Sequence, residues 1–150
     1  MQSGRKVVLS RTFSKAYGLA GLRVGYLMGS TEVCSLLNRV RQPFNVNLPA
    51  LAAAEAALDD DAFVRQTREV NAAGIAQLSA GLQKLGYAYI DGKANFLAVQ
   101  VPKAEEAFTL LQCAGVIVRP LRGYGMIGWL RLTVGTAAQN SRLLEELGKL

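Results

Sequence analysis

One stretch constrains this chain more than any other. Ser10–Gly29 reads Ser-Arg-Thr-Phe-Ser-Lys-Ala-Tyr-Gly-Leu-Ala-Gly-Leu-Arg-Val-Gly-Tyr-Leu-Met-Gly. The apolar run Val7-Val8-Leu9 leads into it and predicts a buried strand, and Val24–Met28 predicts a second. Between them the hydroxyls of Ser10, Thr12 and Ser14 precede one lysine, Lys15. Gly18 and Gly21 follow, and Arg23 opens the return strand. An amine, small hydroxyls, flexible backbone and a guanidinium suit a phosphorylated aldehyde. The amine attacks the carbonyl carbon, while the hydroxyls and the arginine hold the phosphate.

The string Thr12–Tyr26 resembles the pyridoxal-phosphate lysine motif of fold-type-I aminotransferases, and among them most closely that of the histidinol-phosphate aminotransferases. The pattern Ser-Lys-x-x-Gly-x-x-Gly-x-Arg-x-Gly fixes six of twelve positions, which makes it specific. The resemblance implies that Lys15 is the catalytic residue and carries pyridoxal 5'-phosphate. By the same resemblance Thr12, Ser14 and Arg23 anchor the cofactor's phosphate.

Composition removes several other chemistries. The 150 residues contain no histidine, which excludes serine–histidine and cysteine–histidine catalysis and most catalytic zinc sites. Cys34 and Cys113 stand far apart in no metal or redox spacing, as in a reduced cytosolic protein. No segment approaches the roughly 18 continuous apolar residues of a membrane span. Arg5-Lys6 is followed by too short an uncharged run for a signal peptide, so a cytoplasmic location is expected. The net charge of +6 is uneven: residues 1–54 hold seven Lys/Arg against the single acid Glu32, and the remainder holds ten of each sign. The basic residues are dispersed, without stacking aromatics between them. A positive cleft for phosphate and carboxylate therefore explains them better than a nucleic-acid surface, and neither nucleic acid nor membrane is an expected partner.

Further along, Ser30 or Thr31 predicts the cap of a helix that ends before Pro43. Asn47 caps a small-residue helix to Leu58 with Pro49 in its first turn. Asp59–Asp61 form a turn and cap rather than a metal cluster, with Asp61 as the capping residue. The longest helical pattern runs from Ala62 to Leu85, with an apolar stripe of Val64, Val70, Leu78, Leu82 and Leu85 and a left-handed stop at Gly86. Strands are predicted at Tyr87–Ile90, Asn95–Val101, Val116–Val118 and Trp129–Val134, with helices at Lys103–Ala114 and Ala137–Leu147.

A second constellation lies in this last part. Arg119, Arg122 and Arg131 fall within 13 residues, and Arg131 sits between Leu130 and Leu132, so it needs a partner or a cleft. The runs Val116–Gly125 and Trp129–Thr136 are again similar to histidinol-phosphate aminotransferases. There the arginine of the Leu-Arg-x-Thr-x-Gly strand binds the substrate's anionic group and the arginine closing the Val-Arg strand assists. Carried over, these are Arg131 and Arg119. Arg122 matches loosely and is expected to face solvent. Asn95 is either a strand-start cap or a neighbour of the substrate anion.

The fold class expected from the resemblance is α/β, the C-terminal part of the fold-type-I aminotransferase fold. Residues 1–61 would be the C-terminal part of the large cofactor-binding domain and hold the last strands of its mostly parallel sheet. Residues 62–86 would form a linking helix and 87–150 a small α/β domain. The implied reaction takes histidinol phosphate and 2-oxoglutarate to imidazole acetol phosphate and glutamate, in a homodimer. The motif lies near the middle of family members more than twice as long. This polypeptide alone is therefore expected to be a fragment with weak or no transamination, prone to self-association. Three alternatives stay open: a noncatalytic anion- or partner-binding fragment, a phospho-amino-acid decarboxylase, or an aromatic aminotransferase of the same fold.

Overall fold

The computed structural model describes residues 7–150; the Arg5-Lys6 pair lies outside the described residues. The elements in chain order are β1 (Leu9–Thr12), β2 (Gly25–Met28), α1 (Thr31–Val40), α2 (Leu48–Leu58), α3 (Asp61–Lys84), β3 (Tyr89–Ile90), β4 (Phe96–Gln100), α4 (Ala104–Cys113), β5 (Arg119–Pro120), β6 (Trp129–Thr133) and α5 (Ala137–Leu147). No helix among the described residues is long and apolar enough to cross a membrane. The chain divides into two compact units, residues 1–67 and 68–150, and α3 runs from the first into the second.

In the first unit, β1 and β2 pair antiparallel, Leu9 opposite Met28 and Thr12 opposite Gly25. The strand predicted at Val7–Leu9 is displaced, β1 starting only at Leu9, and the pair it makes with β2 is antiparallel and two-stranded. The expected burial of Val7-Val8-Leu9 is corrected. These residues are 48%, 46% and 37% exposed, and the sheet they lead into has only two strands among the described residues. Ser30 caps α1 by accepting from the Val33 amide, and Asn47 caps α2 by accepting from the Ala50 amide. The expected cap of α3 shifts by one residue: the Asp60 carboxylate accepts from the Phe63 amide at 2.9 Å, and Asp61 is already helical. The unit's core is small, Phe13, Val24, Ala50 and Ala54, with Tyr17, Leu19, Leu22, Val46 and Ala57 packed around it.

The second unit lays α3, α4 and α5 against one face of a four-stranded antiparallel sheet in the order β3-β4-β6-β5. Strand alternation explains which residues face the helices. Leu97 and Val99 of β4 stand opposite Leu132 and Leu130 of β6, and all four are fully buried. Leu78 and Leu82 of α3, Leu111 of α4 and Leu147 of α5 complete this core. The predicted stripe of α3 is narrower than expected: Val70 and Leu85 are exposed, whereas Gly74 is buried. A Cβ on Gly74 would overlap the Val134 side chain and one on Gly81 the Leu144 side chain. Close packing, rather than an apolar side chain, is what these two positions provide.

β3 begins two residues later than the pattern predicts, and the predicted strand Val116–Val118 is replaced by β5 just beyond it, at Arg119–Pro120. Both α3 and α4 close in a Schellman turn through a left-handed glycine, Gly86 (φ 77°) and Gly115 (φ 78°). The amide three residues past each helix end is thereby committed: Tyr87 donates to Leu82 O at 3.0 Å and Val116 to Leu111 O at 2.8 Å. Ladder pairing starts at Tyr89, and at Arg119 rather than at Val116–Val118. Asn140, 1% exposed, ties α5 to the rest of the unit. It accepts from the Gly135 amide and donates to Gln77 Oε1 of α3.

Candidate functional site

Lys15 owes its position to Phe13. Beyond the last ladder pair, the Phe13 amide donates to Val24 O at 3.2 Å, and Leu19 donates back to Phe13 O at 3.0 Å. The Phe13 ring is 3% exposed, between Tyr17 at 4.9 Å and Tyr26 at 5.7 Å. This residue pins both ends of the loop, so the next positions, Ser14 on one side and Arg23 on the other, stand at its mouth. The Ser14 amide donates to Thr12 Oγ1 at 3.1 Å, which turns the chain sharply before Lys15. Gly18, at φ 71°, closes the following turn by donating to Lys15 O at 2.9 Å.

Arg23 holds an unusual conformation. It caps a short 3-10 turn (Ala20–Leu22) with φ 53° and ψ 46°, the left-handed region that favours glycine. Its guanidinium donates to Ala20 O at 2.8 Å, which holds the side chain against the glycine-containing turn. Strain of this kind persists only where surrounding structure enforces it, and it gathers at functional sites. Thr12, Lys15 and Arg23 are exposed and Ser14 is half-buried. Among the described residues, no carboxylate lies within ion-pair distance of Lys15 or Arg23. The donor set, one amine, two hydroxyls and one guanidinium on a tight loop, fits an aldehyde bearing a phosphate ester.

The second unit carries the other two predicted residues. Arg119 of β5 stands directly opposite Arg131 of β6, and Arg131 opposite Ala98 of β4. Leu130 and Leu132 point to the helices, so the intervening Arg131 lies on the other sheet face. Two like charges directly opposite one another on adjacent strands repel. No carboxylate among the described residues comes within 4 Å of either. Arg131 Nε is buried without a hydrogen-bond partner.

Each guanidinium instead lies on an aromatic ring, Arg131 over Phe96 at 5.2 Å and Arg119 over Tyr124 at 5.4 Å. Phe96 and Tyr124 were not legible as site neighbours from their spacing. The one available signal was Gly123-Tyr-Gly125, an aromatic set in a turn next to an arginine. Arg122 faces solvent as expected, with only a 4.0 Å contact to Glu105. Asn95 engages through its backbone, its carbonyl accepting from the Val134 amide at 2.9 Å. Thr12, Ser14, Lys15 and Arg23 thus gather in the first unit, and Arg119 and Arg131 pair in the second.

Comparison with known proteins gives the chain's relatives and its family. Histidinol-phosphate aminotransferase 1 of Thiobacillus denitrificans is 55% identical over 144 residues, covering 96% of this chain and 38% of that protein. Histidinol-phosphate aminotransferase 2 of Pseudomonas aeruginosa is 52% identical over 145 residues, covering 96% and 39%. Among solved structures, the histidinol-phosphate aminotransferase of Sinorhizobium meliloti in complex with pyridoxal-5'-phosphate superposes with a TM-score of 0.82 at 27% identity. That likeness covers 95% of this chain and 40% of that one. The chain therefore spans about two fifths of the length of the curated relatives it matches. The family of class I and II aminotransferases matches residues 1–147, and the chain belongs to that family.

Proposed function

We propose that this chain is the C-terminal portion of a pyridoxal-phosphate-dependent aminotransferase of histidine biosynthesis. The reaction converts histidinol phosphate and 2-oxoglutarate to imidazole acetol phosphate and glutamate. The observation that carries this reading is the arginine pair. Arg119 and Arg131 are opposed in strand register, neither has a carboxylate within 4 Å among the described residues, and Arg131 Nε is buried and unpartnered. A pair so arranged suits an anion bonded to both, since planar guanidinium forks match phosphate and carboxylate. Both amino partners of this reaction are anions.

Pyridoxal 5'-phosphate, when bound, supplies an aldehyde carbon and an electron-withdrawing ring. Lys15 Nζ would hold it through that carbon and, as the neutral amine, would move a proton at the substrate's reacting carbon. Thr12 and Ser14 donate hydroxyls, and Arg23 a guanidinium, to the phosphate. Arg131 and Arg119 orient the substrate through its anionic end. Residues 1–61 act as part of the cofactor-binding domain, 62–86 as the linking helix and 87–150 as the small domain. The full-length form works as a cytoplasmic homodimer, and the 150-residue chain alone has weak or no transaminase activity.

Mixing the chain with pyridoxal 5'-phosphate, trapping with borohydride and mapping the modified peptide tests the cofactor assignment. Lys15 is expected to carry most of the label, with the accompanying absorbance change lost in Lys15→Ala. Equal labelling of Lys84, Lys93, Lys103 and Lys149, unchanged in Lys15→Ala, would sink it and leave the noncatalytic reading.

A further inference from the structure

Two arginines opposed in strand register without a carboxylate beside either need something neutral to fix their guanidiniums. On the Arg119 side that group is Tyr124. A 3-10 turn brings it back over β5: the Tyr124 amide donates to Leu121 O at 2.9 Å, the Gly125 amide donates to Arg122 O at 2.9 Å, and Gly125 takes φ 76°. Arg119 Nη2 then donates to the Tyr124 hydroxyl at 2.9 Å, with the guanidinium 5.4 Å from the ring centroid. One donor of Arg119 is used and four remain. The phenol oxygen acts here as acceptor, and no bond from its own proton to the described residues is present.

We propose that Tyr124 is a positioning residue for Arg119 and, through that free hydroxyl proton, a further donor to the anion held by the arginine pair. This rests on the reading of Arg119 and Arg131 as an anion site. A carboxylate in the place of Tyr124 would orient Arg119 equally well but would cancel its charge. A phenol orients the guanidinium, leaves the local field positive and adds one hydrogen bond to a phosphate oxygen. Phe96 plays a narrower part for Arg131: its ring covers the guanidinium but has no hydroxyl to offer.

The 150-residue chain is titrated with inorganic phosphate while the Nε–H and Nη–H resonances of Arg119 and Arg131 are followed by NMR. Wild type is expected to bind saturably, with both side chains shifting. Tyr124→Phe keeps the ring and is expected to weaken phosphate binding about 3- to 10-fold, the equivalent of one lost hydrogen bond. Tyr124→Leu should cost roughly a further threefold through the lost ring. In Tyr124→Phe the Arg119 Nη–H signals should broaden through faster rotation while those of Arg131 stay put. A merely structural role would not produce that contrast, and the thermal midpoint should hold because Tyr124 is 64% exposed. Unchanged affinity and unchanged Arg119 signals in Tyr124→Phe, with binding abolished in Arg131→Gln, overturn the role of Tyr124 and leave the arginine pair standing. Wild-type binding in Arg131→Gln overturns the arginine pair itself.

Discussion

The two units differ in how far they satisfy themselves. The second buries leucines from three helices and two strands in one continuous core. The first buries two large apolar side chains, Phe13 and Val24, and two alanines. Much of its apolar material is in the open: Val40 is 78% exposed, Phe44 99% and Leu48 80%. Exposed apolar area of this kind marks an interaction surface or an association hazard. The support of the lysine loop is therefore the less self-sufficient part of the molecule, and the arginine pair rests on the more robust one.

The sharpest way to break that comparison is through the cores. Leu82→Ala, at a fully buried site, should destabilise the second unit by about 2–5 kcal/mol in denaturant unfolding. Phe13→Ala should lose about 3–5 kcal/mol only if the first unit folds cooperatively. Hydrogen exchange decides this, with amides of β4 and β6 expected to be protected far longer than those of β1 and β2. Equal protection would erase the contrast.

Next in size are the helix glycines. On an exposed helix face, glycine to alanine gains up to about 1 kcal/mol. Gly74→Ala and Gly81→Ala should instead lose about 1–3 kcal/mol, because each Cβ meets a neighbouring side chain. A gain in thermal midpoint for either would show that α3 packs more loosely than described. Asn140→Ala should cost about 1–3 kcal/mol by leaving the Gly135 amide without its buried partner.

The smallest effect belongs to the surface charges of α5. Lys149, followed by Arg142, holds the Glu146 carboxyl below its ordinary value of 4.5, against a desolvation that pushes it up. A lowered folded value means that the stabilisation is present above that ordinary value and fades as the pH falls through the lower one. Both cations are more than half exposed, at 57% for Arg142 and 55% for Lys149, so a pH titration of Lys149→Ala should differ from wild type only slightly, and less in high salt.

Most of the fold was legible because its signals are local. Ser30, Asn47 and Gly86 mark boundaries by their own chemistry, and Leu97, Val99, Leu130 and Leu132 alternate as a half-covered sheet demands. The late start of β3 and the shift of the Val116–Val118 strand to Arg119–Pro120 were not legible, since a helix closure just upstream takes the first amide. Nor was the exposure of Val7–Leu9, because burial depends on what packs above a strand, which an apolar run does not encode. In the candidate site the motif residues stood out by type and spacing. Their neighbours Phe96 and Tyr124 did not, because cross-strand register and a turn, rather than separation along the chain, bring them to the arginines.

Arg23 joins two demands that pull apart. Its backbone takes a geometry that glycine adopts freely, while its guanidinium needs a long side chain to exist at all. Arg23→Gly should therefore relieve the loop, making the protein slightly harder to unfold as it discards a cation. Firmness gained and capability lost in the same exchange would identify a position where the polypeptide tolerates discomfort for the sake of its chemistry.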